Sequence, residues 1–141
     1  MLKDIDKKEF AKNTTIEEIK EEILKAKSII LTTHINPDGD ALGSVLAFFL
    51  MIEKYSKKNM KNLSIKEKLK KIKIIIDDKI PKYMDKFKES SLIERYSPSL
   101  SNETADLFIS LDCANIERYG RTVEIKKNCK KSINIDHHIS N

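Results

Sequence analysis

Three short stretches hold the residues of this chain that are equipped for chemistry. His34, Asp38 and Asp40 stand in H-I-N-P-D-G-D, Asp112 sits in L-D-C, and Asp136, His137 and His138 form D-H-H. Each stretch follows directly on an apolar, strand-like run. In an open α/β sheet, ligands collect at the carboxyl ends of the strands, so three such ends bearing Asp and His point to one composite metal and phosphate site. An imidazole among carboxylates, without thiolate, suits a hard divalent ion such as Mn²⁺ or Mg²⁺ better than a structural zinc. Two ions about 3.5 to 4 Å apart need a shared carboxylate and further ligands, which Asp112 and His137 can supply. Such a pair would activate water against phosphorus.

Pro37 disfavours helical geometry at Asn36 and Gly39 admits unusual dihedrals, so His34, Asp38 and Asp40 can converge. Each stretch also has a plainer explanation. P-D-G-D is an ordinary turn, Asp40 could cap the next helix, and His34 could be a hydrogen-bonded buried histidine. Asp112 alone would more often close a strand, and D-H-H could be a polar strand end. Their shared placement is what favours a site. Gly43 and Ser44 fall in the first turn of the next helix, where free amides could touch a substrate phosphate. Alternatively, Gly43 could serve close packing against the sheet. Arg118 and Arg121 follow Asp112 and could clamp a phosphate, with Arg118 the candidate binder. Cys113 reads as a small buried hydrophobe, and Asp77 and Asp78 as strand ends.

These residues need elements to position them. Thr15 and Glu18 have the form of a capping box for an amphipathic helix over 16–27. A strand over 28–33 ends at the Pro37-Asp38-Gly39 turn signal. The segment 41–55 is apolar nearly all round, which predicts a central helix packed on several sides. The polar, Lys-rich 56–71, with Leu63, Ile65 and Leu69, reads as a linker or exposed insertion. Further strands are expected over 72–76, 107–111 and 133–135, a short helix from Pro81 through Phe87, an irregular 90–101 and a weak helix over 121–131. Four strands separated by helical stretches imply right-handed crossovers and a mostly parallel sheet.

With 141 residues the chain fits one domain, able to bury roughly two-thirds of its unfolded surface. The net charge of +5 is mostly Lys interspersed with Glu, a solvated-face pattern that says little about nucleic acid. The first residues lack an apolar targeting core, and the longest apolar run, 45–52, falls far short of the roughly 18 residues of a membrane span. A cytoplasmic protein without membrane association is expected. Cys113 and Cys129 lack CxxC spacing, so reduced thiols are the default.

The wording of the three stretches is familiar. T-H-I-N-P-D-G-D-A-L-G-S, L-D-C-A-N-I-E-R-Y-G and I-N-I-D-H-H-I-S-N resemble the first three motifs of the DHH phosphoesterase superfamily, nearest its bifunctional oligoribonuclease and pAp phosphatase branch. The resemblance implies an α/β, Rossmann-like, mostly parallel sheet flanked by helices, with two Mn²⁺ ions, or Mg²⁺ in their place. It implies hydrolysis of short RNA oligonucleotides from the 3′ end, or removal of the 3′-phosphate of pAp, with water as nucleophile. By motif, His34 and Asp38 would hold one metal, while Asp40, Asp112 and His137 would hold the second or bridge both, Asp112 being the bridge. Asp136 would orient a histidine, and His138 would face the phosphoryl group.

The family continues past D-H-H to a fourth Asp motif and a substrate-binding DHHA1 domain, whereas this sequence stops at Asn141. The expectation is therefore the N-terminal part of a DHH domain, residues 1–141, incomplete at its C-terminus. It would bind metal weakly and catalyse poorly alone, and the full-length protein could form a homodimer. Inorganic pyrophosphatases and cyclic dinucleotide phosphodiesterases belong to the same superfamily and remain alternatives. So does a catalytically silent metal-binding module. A Lys-rich nucleic-acid binder is the weakest option, given few aromatics and few Arg.

Overall fold

The computed structural model describes residues 13–59 and 71–139. Leu63, Ile65 and Leu69 of the Lys-rich stretch, the first twelve residues, and Ser140 and Asn141 lie outside the described residues. Helix α1, Ile16–Lys25, opens as its capping box dictates: the Glu18 amide donates to the Thr15 hydroxyl, and the Thr15 amide to the Glu18 carboxylate. It stops at Ala26, whose backbone is extended and leads into β1, Ser28–Thr32. There follow α2 (Gly39–Asn59), β2 (Lys71–Ile76), 3-10 turns at Lys82–Lys86 and Lys88–Leu92, and β3 (Ile93–Arg95). The remaining elements are 3-10 turns at Pro98–Leu100 and Ile116–Tyr119, β4 (Leu107–Leu111), α3 (Thr122–Asn128) and β5 (Lys131–Ile135).

The five strands form one parallel sheet in the order β3-β2-β1-β4-β5. Successive strand residues point to opposite faces, and both faces are covered, which is why the central strands read as unbroken apolar runs. Ile29, Leu31, Ile74, Ile76, Leu107, Ile109 and Leu111 join Ile23 of α1 and Leu42, Val45, Leu46 and Ile52 of α2 on one face. Ile30, Ile75 and Phe108 join Tyr119 and, from α3, Val123 and Ile125 on the other. Burying each such side chain stabilises the fold by about 1.5–3 kcal/mol. Strand order reverses between β1 and β4, the switch point at which doubly wound sheets open a crevice beyond their carboxyl ends.

Two expectations need correction. Among the described residues there are five strands, not four: β3 lies inside the stretch expected to be irregular. It has three residues, only Ile93 is partly buried, and pairing with β2, not an apolar pattern, holds it. Helix α2, expected to be packed on several sides, also leaves part of its apolar surface exposed. Ala41, Leu42, Val45, Ile52 and Ser56 face the sheet, while Leu50 is 44% and Met51 52% exposed. The other helical expectations shrink: residues 82–86 form a 3-10 turn and α3 spans seven residues. Among the described residues, no helix is long and apolar enough to cross a membrane. Both cysteines are free thiols.

The sheet edge opposite the chemistry is locked by Asp106. Its carboxylate accepts the Lys27 and Ser28 amides at 2.8 and 3.3 Å and the Lys130 ammonium at 2.6 Å, tying the starts of β1, β4 and β5. The Lys130 contact, then the Lys27 amide, lowers its pKa to about 2. A depressed carboxylate pKa contributes stability above the unfolded value of about 4, and that contribution is lost as pH falls through the folded value. Because the side chain is a quarter exposed, the expected contribution is discounted to about 1 kcal/mol. Asp106→Asn should therefore lower denaturant-measured stability by about that amount at pH 7, with the difference fading between about pH 4 and pH 2.

Candidate metal centre

The first donor loop leaves β1 buried. The Thr33 hydroxyl donates to the Leu111 carbonyl at 2.7 Å, tying the ends of β1 and β4, and His34 is only 4% exposed. His34 Nδ1 lies 2.7 Å from the Ile35 carbonyl, a bond that it donates in the tautomer protonated at Nδ1, the one that leaves Nε2 free for a ligand. The Nε2 lone pair then points outward, 3.7 Å from Asp112 Oδ2 and 4.0 Å from Asp38 Oδ1. Arg118 Nη2 lies 3.1 Å from the same Nδ1. A guanidinium only donates, so in that tautomer it stands as neighbouring positive charge, and in the other it donates a hydrogen bond to Nδ1.

Beyond His34 the chain turns through Asn36 at φ 52°, a left-handed conformation that Asn tolerates better than most residues. Asp38 then caps α2: its Oδ1 accepts the Ala41 amide at 2.9 Å, and that bond is the main cause of its lowered pKa. The cap is thus Asp38 and not Asp40. Asp40 instead accepts the Ser44 hydroxyl at 3.4 Å and lies 3.6 Å from His137 Nε2.

Asp112 joins the two halves of the site. Its side chain is 8% exposed, its φ is 55°, and its amide donates to the Ile135 carbonyl at 3.0 Å. A left-handed L-residue costs about 1–2 kcal/mol, and such strain collects at functional positions. The carboxylate faces two ways: Oδ2 toward His34, Oδ1 toward His137 Nε2 at 3.1 Å and His138 Nδ1 at 3.7 Å. A directional chain runs beneath it, from the Tyr119 hydroxyl to Ser110 Oγ, on to Asn134 Oδ1, and from Asn134 Nδ2 to the Cys113 carbonyl. That chain fixes the peptide following Cys113, one residue beyond Asp112.

In the third stretch, the Asp136 side chain is fully buried and its Oδ1 accepts the His138 Nδ1–H at 2.6 Å. That hydrogen bond is the largest cause raising the His138 pKa. Asp136 Oδ2 is buried without a hydrogen-bond partner. Two donor groups result, His34-Asp38-Asp112 and Asp112-Asp136-His137-His138, with the donor atoms of each within 4.8 Å of one another. They share Asp112. The donors are all oxygen or imidazole nitrogen. Cys113 stays out, its thiol pushed up to about 12 by burial and its Sγ donating to the Asn115 carbonyl. Crowded carboxylates and an orphaned buried oxygen fit a pair of hard divalent cations.

Six of the seven Asp and His candidates fall in these two groups, Asp40 stands outside both at 3.6 Å from His137 Nε2, and Arg118 lies beside His34. Gly43 is exposed, with open space where a Cβ would stand, so close packing against the sheet does not explain it. Arg121 is committed elsewhere, with its guanidinium on Asp77 at 2.6–3.1 Å and over the Tyr96 ring at 4.8 Å. Asp77 and Asp78 do more than finish β2. Asp77 accepts the Arg121 amide at 2.6 Å, and Asp78 accepts the Asn36 amide at 2.7 Å. Their position after an apolar run, like that of the three recognised stretches, was the signal available for them.

Fold and donor set together define a doubly wound α/β domain with a cluster of His and Asp side chains at its switch point that could hold a metal. Residues 28–141 match the model for the DHH family, N-terminal domain, and the chain belongs to that family of phosphoesterase-like proteins. Among solved structures, an exopolyphosphatase-related protein from Bacteroides fragilis is similar, with a TM-score of 0.69 at 22% identity. The similarity covers 87% of this chain and 34% of that one. The chain therefore spans about a third of that protein's length, and the likeness is one of fold. No curated protein matches the chain.

Gly120 lies where the turn after β4 meets the end of β2. Its φ is 58°, and an added Cβ would stand 2.5 Å from Asp77 Oδ2 and 2.6 Å from Ile35 Cγ2. Gly120→Ala should destabilise the fold by more than about 2 kcal/mol, combining left-handed strain with overlap. A denaturant midpoint equal to that of the parent chain would contradict this account.

Proposed function

We propose that the chain is the metal-holding N-terminal part of a DHH domain in an Mn²⁺-dependent phosphoesterase. Its substrates would be short oligoribonucleotides degraded from the 3′ end, the 3′-phosphate of pAp, or both. The observation that carries this is Asp112, one buried carboxylate shared by two donor groups at strand ends. Bound Mn²⁺, or Mg²⁺ in its place, would supply Lewis acidity toward phosphoryl oxygens and lower the pKa of the attacking water.

This chain's own residues would divide the remaining work. His34 Nε2, Asp38 and Asp112 would hold one ion, and Asp40, Asp112 and His137 the other. Asp136 holds His138 through Nδ1 and favours its charged form, leaving Nε2 to stabilise phosphoryl charge or deliver a proton. Arg118 adds positive charge beside His34, and the exposed first turn of α2 around Gly43 and Ser44 leaves room for a substrate phosphate. A fourth Asp motif and a DHHA1 domain outside these residues would complete the shell and bind the nucleotide, in a cytoplasmic protein that could act as a homodimer.

The exopolyphosphatase-related neighbour favours one second reading, hydrolysis of inorganic condensed phosphates. A side-by-side assay of the full-length protein on pAp, a diribonucleotide, pyrophosphate, polyphosphate and cyclic di-AMP, with and without Mn²⁺, separates the two. Oligoribonucleotide or pAp turnover should dominate. Asp112→Ala should lower that turnover by at least about a thousandfold, as removal of a shared metal ligand does. Unchanged turnover in the variant would sink the assignment, and preferred cleavage of polyphosphate would replace the substrate class.

A further inference from the structure

We propose that Asp78 is a positioning residue for the metal centre: by accepting the Asn36 amide, it holds the His34–Asp38 loop in the shape that aims both ligands at Asp112. This rests on the metal-centre reading above and adds to it a residue that belongs to none of the three motif stretches. The loop is pinned at successive backbone groups. The Ile35 amide donates to the Arg118 carbonyl at 2.8 Å, the Ile35 carbonyl accepts from His34 Nδ1 at 2.7 Å, and the Asn36 amide donates to Asp78 Oδ2 at 2.7 Å.

The Asp78 contact falls on the one loop residue with positive φ, Asn36 at 52°. A left-handed residue relaxes toward ordinary conformations unless something opposes it. Asp78 Oδ1 in turn accepts the Lys79 amide at 2.7 Å, so one oxygen is anchored at the end of β2 while the other meets the loop. The two amides hold its pKa below the usual carboxylate range, keeping the acceptor charged. Asp78 belongs to neither donor group, so its influence on a cation runs through Asn36. The preceding residue supports the other side. Asp77 holds the Arg121 amide at 2.6 Å, next to the turn whose Arg118 carbonyl anchors Ile35. One strand end, that of β2, thus steadies the loop from two directions.

The test is Mn²⁺ titration by calorimetry on the full-length protein and on its Asp78→Ala, Asp78→Ser and Asp78→Asn variants, each held below its melting temperature, with circular dichroism to show that it is folded. Asp78→Ala and Asp78→Ser should weaken Mn²⁺ binding by about 10- to 100-fold, the range for partners that orient metal ligands. Asp78→Asn, which keeps an oxygen acceptor for the Asn36 amide, should recover affinity to within about threefold of the parent. If Asp78→Ala does not fold, Asp78→Ser carries the same expectation. A lower melting temperature with unchanged Mn²⁺ affinity in the folded variants would mean a merely structural role and would overturn the proposal. Failure of the parent chain to bind Mn²⁺ is a different signal: it overturns the metal-centre reading, and this proposal with it.

Discussion

The Asp112 carboxylate is the constraint on which the rest depends. It must be buried enough to sit between two histidine-bearing loops, yet turned so that each oxygen serves a different one. An extended residue at the end of β4 would send its side chain to one face of the sheet. The left-handed turn at Asp112 redirects it along the strand axis into the crevice, and the Ile135 carbonyl stabilises that turn by accepting its amide. The interior answers with the Tyr119–Ser110–Asn134 chain, a fully paired polar path that makes a buried turn tolerable.

Parallel pairing supplies the geometry in which such a residue is useful. With every strand running the same way, the ends of β1, β4 and β5 open onto one edge, and the registers Ile29 to Leu107 and Leu107 to Lys131 bring them level. Among the described residues the opposite edge carries no donor cluster, and it is closed by Asp106, whose carboxylate binds amides and an ammonium. The same side-chain chemistry thus serves closure at one edge and an open crevice at the other. What differs is the partner: backbone N–H groups satisfy Asp106, whereas the carboxylates of the crevice face imidazoles and one another.

Much of this was legible in the sequence. Strand β4 spans the apolar run L-F-I-S-L with nothing added or lost, and the Thr15–Glu18 capping box forms as written. Types and placement sufficed to bring His34, Asp38, Asp40, Asp112 and His137 together, because strand ends are fixed points of the fold. Strand β3 was not legible, since a three-residue edge strand depends on its neighbour and not on its own pattern. Nor was the exposed face of α2, because Leu50 and Met51 look like core residues until the sheet chooses one side of the helix. Asp77 and Asp78 were passed over for a subtler reason. A carboxylate that will hold an amide and one that will hold a cation look alike in one dimension, and only the partner across the crevice tells them apart.

The donors also come from opposite ends of the chain. His34 follows the first strand and His137 the last, so the crevice exists only once β1, β4 and β5 are all in register. Such long-range closure is the slow, late part of assembling a parallel sheet. An ion that needed both donor groups would find them together only in the finished topology and in no partly paired intermediate. It would then act as a latch on the native state, worth about 2.7 kcal/mol when the free cation stands a hundredfold above its dissociation constant. The same donor arrangement would thus serve as a thermodynamic reporter that β1, β4 and β5 have paired in register.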